Sequence, residues 1–85
     1  MSTAERITAI ATRMLVKRGN MTIPGAQDNL RDAGLTSLDM VNLMLAVEAE
    51  FDVKIPDRHM TPANFRTVAR IDALVGALLE KANSE

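Results

Sequence analysis

The stretch "TSLD", residues 36 to 39, puts two hydroxyls and a carboxylate at the head of an apolar run. One helix start needs only one capping oxygen. Thr36 and Asp39 have the spacing of a capping box, with Asp replacing the usual Glu. If Thr36 caps, Ser37 is the first helical residue and its oxygen is free. At a helix mouth the dipole and the unpaired N–H groups favour a phosphate, so Ser37 suits a phosphate ester. The competing reading is that Ser37 is itself only a cap, since Ser and Thr are the commonest residues there.

Other chemistry finds less support. A nucleophilic serine needs a base beside it, and the one histidine, His59, has no visible link to Ser37 and reads as a solvated loop residue. "PGAQDN" lacks the glycine pattern of a nucleotide loop. Asp28, Asp32 and Asp39 are not spaced as an EF-hand, and Gly34 is misplaced for one. With no cysteine and one histidine, neither a disulfide nor a zinc site can be built, and no metal site is expected. The six methionines read as aliphatic core filler, and Lys17 and Arg18 as a solvated helix end.

The elements that must position Ser37 are helical. The chain has no Trp, no Tyr and two Phe, so an aliphatic core is expected and strand formers are scarce. Eighty-five residues suit one small domain over 1–85. Ser2 and Glu5 have capping-box spacing. Ile7, Ile10, Ala11, Met14 and Leu15 then recur on one helical face, and Gly19 stops the run. The spacing predicts a helix over 3–18. Residues 19 to 36 read as a long loop anchored by Ile23, Leu30 and Leu35. A second helix is expected over 37–51. A short third follows at 62–66, with Thr61 as its cap and Pro62 as its first residue. A last helix over 67–82 carries the stripe Val68, Ile71, Leu74 or Val75, Leu78 and Leu79. "KANSE" reads as a frayed polar tail.

The second helix is apolar twice. At about 100° per residue, Met40, Leu43, Val47 and Phe51 fall together with Met44 at their edge, which is a core stripe. Leu38, Val41 and Leu45 fall on a nearly opposite face, with Glu48 beside them. So small a bundle cannot bury both faces, and exposed apolar side chains rimmed by charge mark a partner site. The plain alternative is that the later helices cover both. Charge is segregated as well: residues 32 to 57 hold six acids and one base, although the net charge is only −1. This balance argues against a nucleic-acid partner. No apolar run is long enough for a signal peptide or membrane span, so a cytoplasmic protein is expected.

The stretch "DNLRDAGLTSLDMVNLMLAVEAEFDVKIPD" resembles the acyl carrier protein family. That family shows Leu–x–x–x–Gly–x–Asp–Ser–Leu, then a helix ending Glu–x–x–Phe, then an Ile–Pro–Asp link. Leu30, Gly34, Ser37, Leu38, Asp39, Leu43, Glu48, Phe51, Ile55, Pro56 and Asp57 stand in the matching places. The resemblance implies an all-α, four-helix bundle with a long first loop and a short third helix. It implies 4′-phosphopantetheine attached covalently to Ser37 by a phosphopantetheinyl transferase, from coenzyme A with magnesium. The arm would hold an acyl or aminoacyl group as a thioester. The protein would be a monomer and no enzyme. It would present cargo, through Leu38, Asp39, Val41, Leu45 and Glu48, to a loading ligase or acyltransferase and to downstream acyl-processing enzymes.

Thr36 stands where the family most often has Asp, and Asn42 where many fatty-acid carriers have Glu. The third-helix region "MTPANFRTVARI" is longer than in the usual fatty-acid carrier. It looks more like that of stand-alone carriers loaded by aminoacyl-carrier or D-alanine ligases. A specialised fatty acid or polyketide unit stays open as cargo. The alternative from another class is a non-carrier helical interaction module in which Ser37 is only a cap.

Overall fold

A computed structural model describes residues 2–83. The chain forms α1 (Thr3–Lys17), α2 (Leu30–Ala33), α3 (Ser37–Phe51), a 3-10 turn (Asp57–His59) and α4 (Val68–Asn83). Among the described residues there are helices and no strand. None of these helices is long and apolar enough to cross a membrane.

α1 begins as its sequence predicts. Ser2 Oγ accepts from the Glu5 N–H at 3.1 Å, and the Ser2 N–H donates to Glu5 Oε1 at 2.9 Å. Arg18 is the C-cap, and Gly19 follows at φ 79°, the left-handed region that glycine enters without strain. Ile7, Ile10, Ala11 and Leu15 are buried.

α1 and α3 lie antiparallel, pinned at both ends. Near the start of α1, Arg6 Nε donates to Glu50 Oε2 and Nη2 to the Glu50 carbonyl, both at 2.9 Å. The same guanidinium sits 4.4 Å from the centre of the Phe51 ring, close enough for a cation–π contact. Past the end of α1, Arg18 meets Asp39 in the first turn of α3. Met40, Leu43, Met44, Val47 and Phe51 are the buried face of α3, as expected. Val68, Ile71 and Val75 of α4 close the core, with Leu74, Leu78 and Leu79 packed partly against it.

The first loop departs from expectation in two ways. It contains a four-residue helix, α2, capped by Asn29 Oδ1, which accepts from the Arg31 and Asp32 N–H groups. Its anchors are Leu30, Leu35 and Pro24, whereas Ile23 is exposed. The loop is tied to the far end of the chain. The Leu30 N–H donates to the Arg66 carbonyl at 2.8 Å, and the Ala69 N–H to the Ala26 carbonyl at 2.9 Å. Asn20 Nδ2 donates to the Ala33 carbonyl at 2.6 Å.

The short helix expected at 62–66 is instead a pair of overlapping tight turns. The Asn64 N–H donates to the Thr61 carbonyl at 3.1 Å, and the Phe65 N–H to the Pro62 carbonyl at 3.2 Å. Asn64 Nδ2 reaches back to the His59 carbonyl at 2.9 Å. The physical reason is that residue 65 must drop its ring into the core, where Phe65 is fully buried, while Arg66 turns its carbonyl to Leu30. α4 then starts one residue later than expected, with Thr67 Oγ1 accepting from the Arg70 N–H at 3.1 Å. It runs through Asn83; of the expected polar tail, Ser84 and Glu85 lie outside the described residues.

Candidate functional site

Ser37 is the first residue of α3 and is exposed. Thr36 is the N-cap. Its Oγ1 accepts from the Asp39 N–H at 3.1 Å, and its own N–H donates to Asp39 Oδ2 at 2.9 Å. The capping box is complete without Ser37. Among the described residues, no hydrogen bond engages the Ser37 hydroxyl. The helix mouth thus presents one free primary hydroxyl beside a first turn tied by hydrogen bonds from its neighbours.

Asp39 does not belong to the outer face. It is 8% exposed and clasped by Arg18, whose Nε donates to Oδ2 at 2.7 Å and Nη2 to Oδ1 at 2.8 Å. This two-point geometry is the strong form of an Arg–carboxylate pair. The hydrogen bonds from Arg18 and from the Thr36 N–H hold the Asp39 carboxyl at about 2. Arg18 Nη2 also lies 3.3 Å from Thr36 Oγ1. Asp39 therefore sets the first turn of α3 and is not available to a partner, contrary to the sequence-based expectation. The reason is the reach of a residue 21 positions away, which no local pattern signals.

Glu48 is half-buried and engaged through one oxygen. Its Oε2 accepts from the Ile55 N–H at 2.7 Å, which pins the extended link after α3. That link leaves the helix through Asp52, in the left-handed region at φ 51°. The rest of the expected face is open: Leu38 is 68%, Val41 50% and Leu45 56% exposed. They follow at i, i+3 and i+7 on one side of α3, so they form a continuous apolar stripe beginning beside Ser37.

A cleft of about 460 Å³ opens next to Ser37. Met40, Val41 and Met44 of α3 contribute to its wall, and Met60 and Pro62 close it from the turn region. Arg31 and Arg66 stand on it too. Neither arginine stands out in the sequence, because they come to one cleft only through the fold, where the Leu30 N–H donates to the Arg66 carbonyl. His59 does not line this cleft. Among the described residues, no group of three or more His, Cys, Asp or Glu could hold a metal ion.

Comparison with known proteins agrees with this geometry. The family model described as "Phosphopantetheine attachment site" matches residues 7–75. The chain is 52% identical over 58 residues to Aminoacyl carrier protein 1 of Bradyrhizobium diazoefficiens, a match covering 68% of this chain and 64% of that protein. It thus spans somewhat less than two thirds of that relative's length. It is 36% identical over 70 residues to Aminoacyl carrier protein 2 of the same organism, covering 82% of this chain and 79% of that protein. A chain in the crystal structure of Bradyrhizobium japonicum glycine:[carrier protein] ligase, complexed with cognate carrier protein and an analogue of glycyl adenylate, superposes with a TM-score of 0.73. The match has 42% identity and covers 87% of this chain and 96% of that one. A chain in the complex of that ligase with glycylated carrier protein gives a TM-score of 0.71, again at 42% identity, covering 84% and 96%. A free hydroxyl at the head of a capped helix, the helical fold and a family match over most of the chain lead to one conclusion: this protein belongs to the phosphopantetheine attachment family of carrier proteins.

Proposed function

We propose that this chain is a discrete, cytoplasmic, monomeric carrier that holds an aminoacyl group on 4′-phosphopantetheine attached to Ser37. The observation that carries this is the division of labour at residues 36 and 37. Thr36 and Asp39 complete the capping box between themselves, which leaves the Ser37 Oγ exposed and free to become an ester oxygen. A hydroxyl that served only as a cap would not be left over. The arm, when bound, supplies a terminal thiol that carries cargo as a thioester. The chain performs no chemistry of its own in this reading.

The protein's own residues position that arm. Arg18 and Asp39 fix the first turn of α3, so Ser37 is offered at a constant place and angle. Leu38, Val41 and Leu45 extend from it as an apolar landing strip for the transferase that attaches the arm, the ligase that loads it and enzymes that receive the cargo. An amino acid is favoured over a fatty acid or polyketide unit by the names of the relatives and by the ligases with which the similar structures were solved.

The test is direct. The purified protein is incubated with coenzyme A, magnesium and a broad-specificity phosphopantetheinyl transferase, and its intact mass is taken. A single phosphopantetheine adduct is expected, absent in Ser37→Ala. No adduct, or one that survives Ser37→Ala, overturns the assignment. Loading the thiolated protein with a panel of amino acids and a cognate ligase then reads the cargo.

A further inference from the structure

The cleft beside Ser37 is bounded by three segments: α2, α3 and the turns before α4. Met40 and Met44 are buried and Met60 is half-buried, so its floor is apolar and, being thioether, adaptable in shape. Its exposed rim carries Ser37, Arg31 and Arg66. The two arginines are brought together by the main chain. The Leu30 N–H donates to the Arg66 carbonyl at 2.8 Å, so residue 66 is held against the start of α2, where Arg31 is the next residue.

Neither charge is paired. Among the described residues neither guanidinium forms an ion pair or a side-chain hydrogen bond, and no carboxylate lines the cleft. Two cations on one rim repel each other, and an anion placed between them removes that cost. Guanidinium groups match the oxygens of a phosphate diester better than any other side chain does. The nearby hydroxyl at residue 37 is the one to which such a diester would be joined.

We propose that Arg31 and Arg66 form a clip for the phosphodiester on Ser37, laying the root of the arm over the methionine floor between visits to partner enzymes. This rests on the assignment of the arm to Ser37. Both are positioning residues: they act on where the arm lies, with no part in bond making. The clip weakens with salt, because exposed charges are screened over about 10 Å at 0.1 M and about 3 Å at 1 M.

The experiment uses the full chain in apo and holo forms, with intact mass confirming the adduct first. Two-dimensional NMR follows the arginine Nε–H groups and the methionine methyls, and phosphorus NMR follows the diester. On going from apo to holo, the Arg31 and Arg66 Nε–H signals and the Met44 and Met60 methyls are expected to shift. The shifts should shrink as salt rises, and Arg31→Gln combined with Arg66→Gln should abolish the methyl shifts and move the phosphorus signal towards that of a free phosphodiester. Arg58→Gln, at an exposed arginine outside the cleft, should change none of them. A holo protein whose arginine and methionine signals match the apo form overturns the clip while leaving the arm on Ser37. So does a double variant that weakens ligase loading with an unchanged holo spectrum, since the arginines would then meet an acidic partner surface. Absence of the adduct in the mass spectrum overturns both assignments at once.

Discussion

Arg18 Nε lies 2.7 Å from Asp39 Oδ2, so the residue that ends the first helix grips the first turn of the helix bearing Ser37. The grip continues through Thr36, whose hydroxyl lies 3.3 Å from Arg18 Nη2 and whose N–H reaches the same carboxylate. Three residues from two helices thereby hold the place from which a fourth projects. Rigidity at the attachment point matters for a carrier, because each partner must find the same oxygen in the same orientation.

The pair makes stability depend on acid. Hydrogen bonds from Arg18 and Thr36 hold the Asp39 carboxyl at about 2, below its ordinary 3.8. A carboxyl lowered in the folded state stabilises the fold above its unfolded value and loses that contribution as pH falls towards the folded one. Stability should therefore drop between about pH 4 and pH 2, by on the order of 1–2 kcal/mol after allowing for solvent screening of the half-exposed Arg18. Asp39→Asn should remove that contribution at neutral pH and flatten this part of the acid limb. Urea midpoints taken across the acid range for both proteins check it.

Thr36 and Ser37 should separate cleanly. Thr36→Ala removes the cap and should cost about 1 kcal/mol. Ser37→Ala should change stability by less than about 0.5 kcal/mol, as an exposed substitution does, yet abolish attachment of the arm. Thermal melts and intact mass on the two variants give the comparison. A larger loss of stability from Ser37→Ala would return that residue to a capping role.

The two faces of α3 should respond oppositely to charge. Val47 is fully buried, so Val47→Asp places a carboxylate in the core without a partner and should unfold the domain. Leu45 is 56% exposed, so Leu45→Asp should leave the melting curve near that of the parent and weaken loading by a ligase. Circular dichroism and a loading assay on the pair decide it.

Gly76 offers a gain. It lies inside α4, is exposed, and an added Cβ there would meet nothing within 4 Å beyond its chain neighbours and its own helix backbone. Gly76→Ala should stabilise the protein by about 0.5–1 kcal/mol through helix propensity alone. A raised denaturation midpoint with unchanged arm attachment is the expected result.

What could be read from the sequence was local or periodic. The Ser2–Glu5 and Thr36–Asp39 boxes are short-range devices, and both are present. The core stripes of α1 and α3 follow from spacing. Leu38, Val41 and Leu45 emerge as exposed because the surplus of apolar residues on α3 exceeded what one side could bury. What could not be read depends on distant partners. Nothing near Asp39 or Glu48 announces that Arg18 and Ile55 will claim their carboxylates. Phe65 is fully buried, yet it sits among turns with no period to mark it. The same turn chemistry hid α2 and made Ile23 look like an anchor when its neighbour Pro24 is the buried one.

The two backbone bonds that tie the first loop to the start of α4 also order events in time. During synthesis Leu30 and Ala26 emerge long before Arg66 and Ala69, so their partners do not yet exist. Until those residues leave the ribosome the loop lacks these two ties, and the core lacks Phe65, Val68 and Ile71. Closure of the first loop therefore comes late, since long-range pairing must wait for its distant half. A nascent chain cut short before Arg66 would contain Arg18, Thr36, Asp39 and Ser37, but neither of the partners that close the first loop over the core.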